Sequence, residues 1–265
     1  YLTEISGEYA AVYDYMRTCD LCDIGPLETK LGVGFTTDLP LYRSAYMFNA
    51  PSGTYWDVET LIHEFGHYAN YCLVSSPSVC YDVSEIHSQG LEALFLAFAD
   101  GLAGEEGDAY RAVVVSNLLA SVTDGCLYDE FQQRLYADGG DMTVADMNRL
   151  FRTLSEEYGY VYSNEGDEAY DWVLVSHTFE QPFYYLSYAT SALSALELLG
   201  WSSDDFEGAA DTYLSLTAQN GVLGYRGAVK RAGLSDVFEE DTVAGIAAEL
   251  WSYACGELYD LPSFS

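Results

Sequence analysis

The chain has 265 residues, 49% of them hydrophobic, with 42 acidic against 10 basic side chains and a net charge of −32. That length and apolar content support a sizeable core and exclude a disordered chain, while the charge repels phosphate backbones and excludes nucleic acid as a partner. No window of about 18 residues is free of charge, which excludes a membrane-spanning helix.

The length suits a single domain over residues 1–265. A cytoplasmic location is expected; the chain begins at Tyr1 with no secretory signal and no initiator Met, which points to an absent upstream piece, so the N-terminus itself gives no location.

In chain order, Leu2 to Cys19 carries apolar residues at helical spacing. The stretch Cys19-Asp20-Leu21-Cys22 is a C-x-x-C with no second pair, since Cys72, Cys80, Cys126 and Cys255 are scattered. A four-thiolate zinc site is therefore not expected; small buried residues or incidental thiols, or a local Cys19–Cys22 disulfide or redox role, remain. Leu31 to Thr37 and Ser44 to Asn49 are β-compatible runs around Asp38-Leu39-Pro40 and suggest a small antiparallel pair. Pro51-Ser52-Gly53 then leads into a helix that contains His63-Glu64-Phe65-Gly66-His67.

Ser84 reads as the N-cap of a second helix running to about Gly101. Asp108 to Leu135 is a long helical stretch broken at Asp138-Gly139-Gly140-Asp141, and Thr143 caps another helix to about Tyr158. His177 to Leu199 is helical by pattern, with Pro182 in its first turn or at a bend. Phe206 to Gln219 and Asp241 to Ala254 close a mainly α chain with one small β element.

The motif H-E-x-x-H is half of a zinc site plus its base. At roughly 100° per helical residue, His63 and His67 lie about 40° apart on one face and can reach a single ion. Glu64 lies about 60° beyond His67, poorly placed as a ligand but well placed to accept a proton from the water that zinc activates. Leu61, Ile62, Phe65, Ala69, Cys72 and Leu73 form the packing side. A catalytic zinc wants a third protein ligand. Asn70 and Leu73 occupy the places where a metzincin would carry glycine and histidine, so the choice falls on a glutamate of the second helix. Glu85, Gln89 and Glu92 share a face there. Glu85 as ligand and Glu92 as acceptor for the outer nitrogen of a ligand histidine form a coherent set, with His87 pointing away.

These residues resemble the catalytic half of the thimet oligopeptidase and oligoendopeptidase F family of zinc metallopeptidases. The likeness lies in Ala45-Tyr46-Met47-Phe48-Asn49, in Asp57-Val58-Glu59-Thr60-Leu61-Ile62 with the motif behind it, and in Ser84-Glu85-Ile86-His87-Ser88-Gln89-Gly90-Leu91-Glu92. A looser third block is His177 with Pro182 to Ser191. The resemblance implies a zincin-like helical peptidase fold with a small antiparallel β element beside the active site. It implies one Zn2+ held by His63, His67 and Glu85, and Glu64 as general base. It makes His177 and Tyr188 donors to the oxyanion, with Tyr185 and Tyr184 as competitors. It makes the strand of Ala45, Tyr46, Met47, Phe48 and Asn49 the edge that pairs with an extended peptide substrate.

The expected activity is zinc-dependent cleavage of internal bonds in short unstructured peptides. The alternatives are a helical zinc carboxypeptidase, a catalytically inactive peptide-binding domain of the same fold, and a structural zinc domain. Family members are usually longer, with a helical N-terminal half, and many carry a histidine where Asn70 stands.

Overall fold

The computed structural model describes residues 1–26, 30, 32–74, 80–138, 140–162, 169–219 and 223–254. Its elements in order are α1 (Leu2–Ile5), α2 (Gly7–Thr18), β1 (Cys22–Asp23), β2 (Gly34–Leu39), β3 (Ser44–Asn49), α3 (Tyr55–Leu73) and α4 (Tyr81–Phe95). Then come α5 (Ala99–Ala103), α6 (Gly107–Ala137), α7 (Val144–Glu157), α8 (His177–Glu180), α9 (Leu186–Asp204), α10 (Phe206–Thr217), α11 (Tyr225–Ala232) and α12 (Thr242–Tyr253). The chain is mainly helical, as its pattern implies. It divides into two compact units, residues 1–118 with 191–265, and residues 119–190.

Local chemistry sets the boundaries. Ser6 is extended and its hydroxyl accepts the Glu8 amide, so the expected first helix is split into α1 and α2. α3 starts at a capping box in which the Asp57 carboxylate accepts the amides of Ser52, Gly53 and Thr54. The second helix begins at Tyr81, ahead of the expected cap: Ser84 lies inside it and turns its hydroxyl to the Cys80 carbonyl. Glu85 is thus a mid-helix residue. Thr143 does cap α7, through a reciprocal bond with Asp146. The stretch from His177 breaks at Pro182 and Phe183, whose φ is 65°, before α9 resumes at Leu186.

The sheet corrects one expectation. It has three strands in the order β1-β3-β2. β2 and β3 are antiparallel, Gly34 facing Asn49 and Leu39 facing Ser44, joined by a short turn from Pro40 to Arg43. β1 adds a parallel pairing, Cys22 with Met47 and Asp23 with Phe48. β3 is therefore the middle strand, and Ala45–Asn49 cannot be a free edge. The sheet edge nearest the motif helix is β2. A two-residue strand has no alternation, so β1 leaves no pattern in the sequence. Cys19 and Cys22 are unbridged thiols, and Cys255 lies outside the described residues, as does Gly139 of the turn before Thr143.

In the first unit α4 is buried on every side from Glu85 to Phe95. α10 ties it to α3: the Tyr213 hydroxyl donates to the His87 carbonyl at 2.7 Å, and the Asn70 amide donates to the Thr217 carbonyl at 3.0 Å. Asn70 thus anchors α3 to the end of α10. The second unit has its own core of Leu127, Tyr128, Phe131, Phe151, Leu154, Ala169 and Trp172.

Candidate metal centre

α3 presents its two histidines as the spacing requires. Their ring centroids lie 5.1 Å apart at 78°. Ile62, Phe65 and Ala69 are buried behind them, while Leu73, expected on that side, is exposed. α4 brings Glu85 to the same point: Glu85 Oε2 is 3.5 Å from His63 Nε2 and 3.5 Å from His67 Nε2. Among the described residues His63, His67 and Glu85 form the group whose donor atoms lie within 4.8 Å of one another.

The contact between the two helices depends on the glycine inside the motif. A Cβ on Gly66 would lie 2.2 Å from the His87 carbonyl oxygen and 2.8 Å from Ser88 Cα. Only glycine lets α4 come this close, and that approach delivers Glu85.

The donor set fits a zinc ion. Two ligands about 2.0–2.1 Å from a tetrahedral ion are separated by about 3.4 Å, whereas an N–H···O bond spans about 2.7–3.2 Å. Separations of 3.5 Å from one carboxylate oxygen to both imidazoles match the first arrangement. The outer nitrogen of His63, Nδ1, lies 2.5 Å from Glu92 Oε1, the carboxylate–histidine pairing that orients metal ligands. Electrostatics point the same way. Burial disfavours charge on His63, yet Glu92 beside it, with Glu85 and Glu64 further off, holds the ring pKa up at about 10. Acids crowded around a half-buried ring make a place for a cation.

His87 has the opposite character. It is buried, and burial together with nearby His67 pushes its pKa down to about 3, so it stays neutral and apart from the donor group. Gln89 shares the face of Glu85 and is likewise buried.

Four further residues bear on the site: Thr36, Glu59, Tyr71 and Asn117. Thr36, on β2, donates to Glu64 Oε2 at 2.8 Å. The Asn117 amide, on α6, lies 3.0 Å from both oxygens of Glu59. Burial first and the Glu92 charge second push the Glu59 carboxyl up to about 7. Tyr71 follows His67 by one turn; burial, then Asp38, Glu85 and Glu64, raise the pKa of its hydroxyl. The spacing His63, His67, Tyr71 could have flagged this tyrosine, but nothing in the sequence links Thr36 or Asn117 to the motif.

In the second unit, His177 stacks on Tyr184 with centroids 4.8 Å apart and meets Tyr188 edge-on at 6.0 Å. Tyr185 lies 5.2 Å from Tyr188 and 4.7 Å from the core ring Tyr128, so it is the inward-packed member of the cluster. Among the described residues no helix is long and apolar enough to cross a membrane.

No family model matches the chain. Chromosomal oligoendopeptidase F of Lactococcus lactis subsp. cremoris is 26% identical over 224 residues, 79% of this chain and 35% of that protein. The solved structure of PZ peptidase A with inhibitor 2 superposes with a TM-score of 0.87 at 24% identity, over 95% of this chain and 46% of that one. A protein assigned as oligoendopeptidase F gives 0.87 at 26% identity, over 96% and 46%. Another from Bacillus anthracis str. Ames gives 0.79 at 24%, over 95% and 44%. The chain spans about a third of the length of its curated relative and under half of these structures.

Proposed function

We propose, proceeding from the homology of this chain with oligoendopeptidase F over most of its length, that it is the catalytic part of a zinc-dependent oligoendopeptidase. Its substrates would be short unstructured peptides cut at internal bonds. The observation that carries the reading is the meeting of His63 Nε2, His67 Nε2 and Glu85 Oε2 at one ion-sized point, with the Glu64 charge acting on the same ring.

When bound there, a zinc ion polarises a scissile carbonyl and brings the pKa of a water toward about 7. The chain supplies the rest. Glu92 holds the His63 ring by Nδ1, which would leave Nε2 to hold the ion. Glu64 takes the proton of the attacking water and passes it to the leaving nitrogen. β2 is the edge strand beside α3, so an extended peptide would add to Gly34–Leu39 by main-chain pairing, in place of Ala45–Asn49. The resemblance gives His177 and Tyr188 the oxyanion role. Tyr188→Phe should then lower turnover about 10²–10³-fold, whereas Tyr185→Phe should act on packing against Tyr128.

The test is zinc analysis beside a mass-spectrometric digest profile of the chain and of Glu64→Gln. One zinc per chain in both, with internal cuts from the unmodified chain alone, is the expected result. Near wild-type turnover in Glu64→Gln would sink the base assignment. Trimming from the C-terminus only would favour a carboxypeptidase, and zinc with bound but uncut peptide an inactive binding domain.

A further inference from the structure

Gly34, Thr36 and Asp38 alternate with the exposed Phe35 and Thr37, so the first three share the face of β2 that lies on α3. A Cβ on Gly34 would come within 2.6 Å of Thr60 Cγ2 and 3.4 Å of Glu64 Cγ. Glycine at this place lets the strand lie flat on the helix, and that brings the next inward residue to the buried Glu64 carboxylate. Thr36 Oγ1 is 2.8 Å from Glu64 Oε2 and 3.0 Å from the Glu64 main-chain oxygen. One hydroxyl has one proton to give. The main-chain oxygen already belongs to the hydrogen-bond ladder of α3, and Oε2 is the nearer acceptor, at 2.8 Å against 3.0 Å. The proton therefore goes to Oε2.

We infer that Thr36 is a positioning residue for the carboxylate of Glu64: its hydroxyl pins Oε2 and leaves Oε1 as the oxygen that exchanges protons. This rests on the proposed role of Glu64 as base. The terminal torsion of a glutamate is broad and roughly two-fold, so an unheld carboxylate would swing. Thr36 is itself held, because a β-branched side chain in a strand has restricted χ1. Thr36 is not among the donors His63, His67 and Glu85, so loss of its hydroxyl should leave metal binding alone.

The test compares Thr36→Val, which keeps the branched shape and removes the hydroxyl, with Thr36→Ser, which keeps the hydroxyl. Turnover of an internally quenched peptide, zinc content and a crystal structure are measured for each. A misplaced catalytic group commonly loses up to about 10²-fold in rate. Thr36→Val should lose roughly 10–100-fold in kcat, with KM within about twofold and zinc unchanged. Its Glu64 carboxylate should leave the position seen here, and Thr36→Ser should recover most of the rate.

The inference is overturned by a Thr36→Val enzyme within twofold of wild type, by a loss carried in KM or in zinc content, by failure of serine to rescue, or by an unmoved carboxylate. Should the purified chain lack measurable turnover, the carboxylate position alone decides. Retained activity in Glu64→Gln would instead defeat the base assignment, and the crystallographic comparison would still judge the contact with Thr36.

Discussion

Gly66→Ala adds one methyl group at the point where α3 and α4 touch. The new carbon would sit 2.2 Å from the His87 carbonyl oxygen and 2.8 Å from both the His87 carbonyl carbon and Ser88 Cα. All three are backbone atoms of a helix buried on every side, so no side chain can swing away. Ordinary contact requires the helices to part by about 1 Å. Overpacking of this kind costs about 1–3 kcal/mol, and a clash with backbone belongs at the upper end. Alanine in a helix interior returns about 1 kcal/mol over glycine. The net is about 2 kcal/mol, or a fall in melting temperature of roughly 4–8 °C for a unit of this size. The same 1 Å carries Glu85 away from the two imidazoles, where ligand distances tolerate only about 0.2 Å. Zinc affinity should therefore fall at least about tenfold, the common effect of disturbing the groups around a metal. Thermal melts with and without chelator, paired with a zinc competition titration, measure both effects. A variant that melts at or above the parent and binds zinc as tightly would refute the claim that this glycine sets the position of Glu85.

Glu92→Gln should keep the fold and lower zinc affinity about 10–100-fold, by weakening the hold on His63 Nδ1; chelator competition reads the change. Glu59→Gln tests a buried acid. Its carboxyl is pushed up from 4.5 to about 7 by burial and the Glu92 charge, so folding favours its neutral form. Stability from that preference is fully present below about pH 4.5 and lost as pH rises through about 7, amounting to roughly 3 kcal/mol. Glu59→Gln, measured in chelator by denaturant melts, should match the parent near pH 5 and exceed it near pH 8. Equal pH slopes for the two proteins would remove the argument.

The parts legible in the sequence are those fixed by local periodicity. His63, Glu64 and His67 needed only the helical repeat, and Glu85 with Glu92 needed the repeat plus the demand for a third ligand. Thr143 followed from capping chemistry, and it caps α7. What stayed hidden depends on long-range approach. Thr36 reaches Glu64 only because β2 lies on α3, and Asn117 reaches Glu59 from a helix about sixty residues away in the chain. Strand order was also beyond reach: β1 is too short to show a pattern, and it alone turned β3 from an edge into a centre. Ser6, inside a stretch that reads as one helix, and Ser84, expected as a cap, show the ambiguity of serine. It caps α2 in one place and bonds back into its own helix in the other.

The concentration of acid at the centre leads to the last expectation. Glu59, Glu64, Glu85 and Glu92 are each less than a tenth exposed, at 8%, 7%, 2% and 6%. Buried carboxylates are costly unless hydrogen-bonded or paired with positive charge. Asn117, Thr36, Ser88 and His63 reach them in turn, and three of those four partners are neutral. A fold that meant to close this cluster with protein charge would place arginine there; here two imidazoles converge on one carboxylate oxygen instead. In the proposed metal site a divalent cation would supply the missing charge, so binding should register as stability as well as activity. At a zinc concentration a thousandfold above the dissociation constant, the native state gains about 4 kcal/mol, or roughly 8–16 °C in melting temperature. The gain should shrink in Glu85→Gln and survive in Glu64→Gln, because only the first touches a ligand. Identical melting curves in chelator and in zinc would mean that the acids are balanced some other way and that the three donors do not form a metal site.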